Sequence, residues 1–304
     1  MMGHRRHPGE ARSNGPELWT VLWTRGDGCE ELAGILGKPV FAEGNLREKC
    51  IEARADLVVQ RRLTSFDLVD SVASNQFDVK QVTSVMAAVG GGPHSLLAGR
   101  VAQQVAVALG VPGSLVSATR NAVEDVSIRE NLDRIGEHVP ALERRLEQVT
   151  SAGGLLSTLD DGALLVLGAP GGSWLQRQFF GPGRQLIHAA PGGIVVVRSS
   201  PRRCFHAAEP ATAIAPWLSV AEAVKLGGPS VVPVAAHGSL VGLFRLETAR
   251  DAAEGATVQD VMEEPVFLSV DDPVDAASDL GSFFDGAPVP IVDHDGRLIG
   301  VLPI

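Results

Sequence analysis

Three glycines stand at a spacing with a chemical use. Gly168-Ala169-Pro170-Gly171 is followed by nine residues and then by Gly181-Pro182-Gly183, and the whole stretch comes directly after the apolar run Leu164–Leu167. Where a buried strand ends in such a loop and a helix begins, backbone N–H groups converge and the helix dipole favours negative charge. Glycine lets that backbone approach a phosphate with no Cβ in the way. The chemistry on offer is anion binding. A tight glycine turn that holds no ligand uses the same residues, and spacing alone leaves both readings open. A second glycine run, Gly90-Gly91-Gly92, ends the apolar segment Val82–Val89 and leads into Pro93-His94-Ser95. It lacks the Gly-Lys-Ser/Thr of a Walker loop.

The other reactive side chains form no such pattern. His94, His188, His237 and His294 have no metal-ligand spacing. Ser95 is in no G-x-S-x-G elbow, which leaves a hydrolase triad without support. Asp160-Asp161 reads as a polar turn. Cys29, Cys50 and Cys204 lie too far apart for a zinc clip or a redox pair, and read as buried structural thiols of a reducing compartment. Trp19, Trp23, Trp174 and Trp217 read as core or interface residues; Trp174 falls in the nine-residue spacer, where it would cover a ligand or a seam. No resident metal is implied beyond magnesium carried by a nucleotide, and no reaction is expected.

Bulk composition narrows the partners. With 304 residues, 45% hydrophobic and 20% charged, the chain supports about two folded domains. A net charge of −10 with only short basic runs argues against nucleic acid. Residues 1–16 hold no apolar run and read as a loose tail rather than a signal peptide. No stretch approaches the ~18 apolar residues of a membrane helix. The expectation is a soluble, cytoplasmic protein.

Several elements would position the glycines. Residues 18–23, 39–42 and 56–59 read as strands, with helices near 30–36, 45–55 (capped by Asn45) and 64–74. The alternation predicts a parallel α/β sheet, and residues 17–76 form a degenerate N-terminal segment of that kind. Residues 77–200 repeat the theme. Strand 82–89 precedes a helix with Leu97, Val101, Val105 and Ala108 on one face, closed by Gly110, and then strands 115–118, 163–167 and 194–197. Ile128, Leu132, Ile135, Val139, Leu142, Leu146 and Val149 predict a helix over 127–149, kinked or split at Gly136 and Pro140. Residues 199–216 read as a linker. Beyond it the chain repeats: Val232-Pro233-Val234 … Gly238 … Gly242 returns as Val289-Pro290-Ile291 … Gly296 … Gly300, each a hairpin preceded by a short helix.

On these residues the chain resembles two known families. Gly168, Gly171 and Gly181 match the Gly-x2-Gly-x9-Gly loop of the universal stress proteins that bind ATP. The run Ala87–Gly92 is similar to that family's first strand end, and Ile187–Arg198 to its closing helix and strand. The resemblance spans about residues 80–200. It implies an adenine nucleotide, ATP among them, held near Gly90, Gly91, Gly168, Gly171, Gly181, Pro182 and Gly183. Two positions depart from it: the family's acidic residue is Gly90, and its phosphate-contacting Ser/Thr is Pro182. Residues 201–304 resemble a pair of cystathionine-beta-synthase (CBS) domains, about 207–255 and 256–304, through Asp260-Val261-Met262, Val266–Val274 and the hairpin Val289–Gly300. That family's ribose-binding carboxylate is missing in both copies: Arg245 and Thr248 follow Gly242, and Pro303 follows Gly300. Arg245 could pair with a phosphate or form a surface salt bridge. Together the resemblances imply a non-enzymatic regulatory or stress-response protein, a homodimer with an unknown protein partner. A scaffold with non-functional nucleotide sites is the alternative, and a weak ATP hydrolase a second.

Overall fold

The computed structural model describes residues 19–74, 77–119, 125–148, 154–155, 157–169, 190 and 192–304. These fall into two compact units. The first takes in residues up to Glu43, Leu57–Ser65 and Asp70–Ser199; the second takes in Gly44–Asp56, Phe66–Val69 and Ser200–Ile304.

The first unit is an α/β domain around one nine-stranded sheet. In chain order it contains β1 (Trp19–Trp23), α1 (Cys29–Leu36) and β2 (Gly37–Phe41). The next helix, α2 (Leu46–Ala53), belongs to the second unit. Then follow β3 (Leu57–Gln60), β4 (Asp70–Ser74), β5 (Ser84–Ala88), α3 (Ser95–Leu109), β6 (Gly113–Thr119), α4 (Asp125–His138), β7 (Glu143–Gln148), β8 (Ala163–Gly168) and β9 (Ile194–Arg198). The strand order is β2-β1-β3-β4-β9-β8-β5-β6-β7. All neighbours are parallel except β4 and β9, which run antiparallel from Ser71↔Arg198 to Ser74↔Val195.

That seam divides the sheet into halves built to one plan. Each half begins with a strand and a helix, lays its second strand on one side of the first, and returns to the other side. The strand order therefore reverses between β1 and β3, and again between β5 and β8.

Burial explains the sequence pattern. On one face, Leu32 and Leu36 of α1, Leu97, Val101 and Val105 of α3, and Leu132 and Ile135 of α4 pack on Val21, Val59, Val85, Leu164 and Val197. On the other, Met86 and Ala88 of β5 pack with Leu165 and Leu167 of β8, Val116 and Leu155. Strand β8 is buried on both faces, so it reads as an unbroken apolar run. Each fully buried Leu or Val contributes roughly 1.5–3 kcal/mol. At the sheet's outer edges, Lys38 and Pro39 of β2 and Glu143, Arg144 and Arg145 of β7 are exposed, which discourages pairing with another strand.

Three expectations require correction. Residues 64–74 are not a helix: residues 61–69 form no helix or strand, and Asp70–Ser74 is β4, held between β3 and β9. The stripe over 127–149 ends as a helix at His138, before Pro140, and its continuation is the edge strand β7. Pro140 lacks the N–H a helix would need, and Gln103 Oε1 instead accepts from Ala141 N at 2.9 Å. Residues 199–216 are not a bare linker, because residues 203–214 are paired elements of the second unit.

The second unit holds two copies of one α+β module. The first has α5 (Cys204–Ala207), α6 (Val220–Leu226), β10 (Val231–Ala236) and β11 (Ser239–Arg245). The second has α7 (Val258–Val261), β12 (Leu268–Ser269), α8 (Ala276–Asp279), α9 (Gly281–Phe284), β13 (Val289–Val292) and β14 (Leu298–Leu302). The leading segments are exchanged. Glu209 bridges to Val301 in the second copy's hairpin, and Glu263 bridges to Leu243 in the first's. Likewise Arg203 bridges to Pro273, and Thr257 to Ser219. Equivalent glycines permit this. A Cβ on Gly242 would lie 2.8 Å from Glu263 O, and one on Gly300 would lie 2.4 Å from Glu209 O. His237 (φ 52) and Gly238 (φ 87) make the tight turn of the first hairpin.

Candidate functional site

In an open α/β sheet, ligands bind outside the carboxyl ends of the strands where the strand order reverses. In the C-terminal half of the sheet that point lies between β5 and β8. The two strands are register-paired up to Ala88↔Leu167. Gly90 and Gly91 therefore follow β5 beside Gly168, the last residue of β8. Three of the seven glycine-segment residues singled out in the sequence are brought together there. Gly171, Gly181, Pro182 and Gly183, and Trp174, lie outside the described residues.

The rim of this crevice is polar and its walls are ordered. Gly90 and Gly91 are exposed, and Gly91 takes φ +73, a conformation that glycine adopts without strain. The adjoining backbone is fixed: Val89 N donates to Val116 O at 2.8 Å, and Ser117 Oγ donates to Val89 O at 2.9 Å. Across the crevice, Ala169 N donates to Val197 O at 2.6 Å. Helix α3 begins directly behind the glycines, with no side-chain cap and no acidic residue in its first turn. Glycine at these strand ends leaves backbone N–H groups unobstructed by side chains, an arrangement that can hold an anion.

By spacing alone His94 has no metal partners. The structure gives it another task. Its Nδ1 accepts from Ser199 N at 3.0 Å, tying the start of α3 to the residue that follows β9. The bond needs an unprotonated Nδ1. Burial, and then the Arg198 guanidinium, hold its pKa below the ordinary value. No sequence signal marked this link, because the two residues meet only through the β5-β8-β9 order.

The N-terminal half has the equivalent reversal between β1 and β3, but it is filled. A Cβ on Gly26 would stand 2.9 Å from Cys29 Sγ and 3.1 Å from Arg61 Cβ, and Thr24 N donates to Val59 O at 3.1 Å. Gln60, Arg61 and Arg62 occupy the place that glycine takes after β8.

In the second unit, Arg245 is already committed. Its Nε donates to Glu263 Oε2 at 2.8 Å, its Nη2 donates to Phe283 O at 2.9 Å, and the guanidinium lies 4.5 Å from the Phe283 ring centroid. It joins the two modules, and is neither a free phosphate ligand nor a simple surface ion pair. Thr248 Oγ1 donates to Arg245 O at 3.1 Å. His206 at the end of α5 is fixed too, with Nδ1 accepting from Arg203 N at 3.2 Å and Nε2 2.8 Å from Ala55 O. Burial lowers its pKa. Helix α2 carries the expected Asn45 cap, whose side chain accepts from Arg47 N at 3.1 Å, and Arg47 pairs with Asp271.

All three cysteines are buried and free. Burial raises the Cys50 thiol to about 12 and the Cys204 thiol to about 11, so neither is a nucleophile at neutral pH. Trp19 and Trp23 pack against the core, whereas Trp217 is 64% exposed and is not a core residue. Among the described residues no group of three or more His, Cys, Asp or Glu could hold a metal ion. Among them, too, no helix is long and apolar enough to cross a membrane.

No protein-family model matches this chain, and no curated protein matches it. Solved structures do. The chain is similar to the cytosolic domain of the Mg2+ channel MgtE in complex with ATP, at 20% identity and TM-score 0.30 over 33% of this chain. It covers 45% of that domain, less than half its length. It is similar to the CBS-pair protein CBSX2 from Arabidopsis thaliana, at 22% identity and TM-score 0.30, over 34% of this chain and 89% of that one. A CBS domain pair bound to 5′-methylthioadenosine and S-adenosyl-L-methionine is 24% identical, with TM-score 0.30, over 34% of this chain and 92% of its own.

Proposed function

We propose that this chain is a non-enzymatic, ligand-responsive regulatory protein. Its α/β unit, read as a universal-stress-protein domain, takes an adenine nucleotide at the crevice between the ends of β5 and β8. Its repeat unit, read as a CBS pair, serves as a regulatory or dimerisation module. The observation that carries the reading is the register pairing of β5 with β8, which sets Gly90 and Gly91 beside Gly168 where the strand order reverses. The phosphates would lie along the loop Gly168–Gly183, held by backbone N–H groups. The nucleoside would lack the acidic partner that the family resemblance puts at Gly90.

Calorimetric titration of the full chain with ATP and ADP tests this. Binding at or below millimolar concentration, abolished by Gly171→Val, is expected. Absence of binding by the wild type at millimolar ligand would overturn it.

The repeat unit supports a narrower role. Arg245 and Thr248 are both committed to internal contacts. The first module has Thr248 where a carboxylate would accept from ribose hydroxyls. Adenosine nucleotides accordingly bind that module weakly or not at all, and its contribution is mechanical.

A further inference from the structure

A second cleft lies beside the first site, in the groove between α3 and α4, with a volume of about 360 Å³. That is at the small end of ligand pockets. Gly91, Gly92, Ser95, Arg134 and His138 supply its polar lining. We propose that it binds a small phosphomonoester, with the phosphate at the N-terminus of α3.

Three observations converge on an oxyanion. The first is the helix end. Helix α3 is 15 residues long and has no side-chain cap, and among the described residues the N–H groups of Leu96 and Leu97 have no acceptor. The second is Ser95. It is 4% exposed and lines the cleft, yet its hydroxyl has no hydrogen-bond partner among the described residues. The hydroxyl is free to donate or accept at the cleft, so a ligand oxygen is a fitting complement. The third is charge. Arg134 is exposed, and among the described residues its side chain donates from Nη2 to Asn131 Oδ1 at 2.8 Å, a neutral side chain. It enters no ion pair among the described residues, whereas Arg144 on the next strand is paired with Asp133 at 3.2 Å. Among the described residues no carboxylate lines the cleft.

The remaining wall decides the ligand class. Pro93, Leu96 and Ile135 give the cleft an apolar side. It suits a phosphate carried on a short carbon body better than a bare ion. Gly91 takes φ +73, which favours glycine, and a Cβ there would stand 3.1 Å from Asn131 Nδ2. This inference does not depend on nucleotide binding at the β5–β8 crevice, although Gly91 borders both.

Calorimetry of the full chain against glycerol 3-phosphate tests it, with Arg134→Ala, Ser95→Ala and Gly171→Val alongside the wild type. The wild type should bind, and glycerol, which lacks the phosphate, should not. Arg134→Ala should weaken binding at least about tenfold, the effect of losing one charge-assisted hydrogen bond. Ser95→Ala should weaken it by a smaller factor, and Gly171→Val should leave it intact while removing ATP. Arg134 is exposed, so its variant keeps the fold. No wild-type binding at ten-millimolar order, or binding unchanged in both Arg134→Ala and Ser95→Ala, would overturn the assignment. Joint loss in Gly171→Val would also overturn it, placing the ester in the nucleotide crevice.

Discussion

The two halves of the nine-stranded sheet share a topology and differ at their switch points. Between β5 and β8 the strand ends carry Gly90, Gly91 and Gly168, and the glycines at the end of β5 are open to solvent. Between β1 and β3 the same place holds Gly26 against Cys29 and Arg61, with Gln60 buried at the end of β3. The supporting helices differ as well: α3 has 15 residues and α1 has 8. A reversed strand order creates a possible site in each half. On the proposed reading, side-chain volume at the strand ends decides which half keeps it.

The largest expected effect tests the filled half. Gly28 takes φ +72, and a Cβ there would lie 2.4 Å from Phe77 O. Gly28→Val should therefore cost more than about 3 kcal/mol, through backbone strain and a clash that no rotamer relieves. Gly91→Ala, in the open half, should cost only about 1–2 kcal/mol, because its nearest neighbour is the movable end of Asn131. Urea denaturation measures both. Equal costs would erase the distinction between filled and open.

Arg245→Ala comes next. It removes two hydrogen bonds, one of them to a carboxylate, and should destabilise the repeat unit by about 2 kcal/mol. Arg245→Lys keeps the charge but not the fork, and should recover only part of that. ATP affinity should be unchanged in both, since the proposed nucleotide site lies in the other unit. A parallel fall in ATP affinity would contradict that separation.

Gly90→Asp sharpens the comparison from the open side. A carboxylate at the end of β5 would accept from nucleoside hydroxyls, and should tighten ATP binding about tenfold. Gly90 does not have positive φ, so a side chain is tolerated by the backbone. Unchanged affinity would place the nucleoside elsewhere.

The smallest effect is on pH. His94 and His206 both have folded-state pKa values lowered from 6.5, chiefly by burial. As pH falls below that value the unfolded chain takes up these protons first. Stability is thus intact above about 6.5 and declines as pH drops through the lowered folded values. The urea midpoint should fall between about pH 7.5 and about pH 5.5, and His94→Gln with His206→Gln should flatten that slope. An equally steep slope in the double variant would assign the effect to other groups.

Much of this was legible in the sequence, and the exceptions share a cause. Strands β1, β3, β5, β8 and β9 and helix α3 announce themselves because their apolar residues follow the burial of one or both faces. The hairpins do so through the repeat and its glycine turns. Strand β4 does not: Asp70-Ser71-Val72-Ala73-Ser74 has small and polar residues, and only its place between β3 and β9 makes it a strand. Leu142, just before β7, and Leu146 within it continue the four-and-three spacing of α4, so periodicity could not see the break that Pro140 imposes. The lead segment 203–214 is held by bridges to Pro273, Val301 and Val234, partners that no local pattern reveals. At the candidate site the glycines were readable because backbone access requires them. The roles of His94 and Arg245 were not, since each depends on a neighbour distant in sequence.

The proposed function gives one nucleotide site per chain, in the C-terminal half of the sheet. Calorimetric stoichiometry with ATP measures this. One equivalent of ATP should bind per wild-type chain and none per Gly171→Val chain. Two equivalents, or one that survives Gly171→Val, would contradict it.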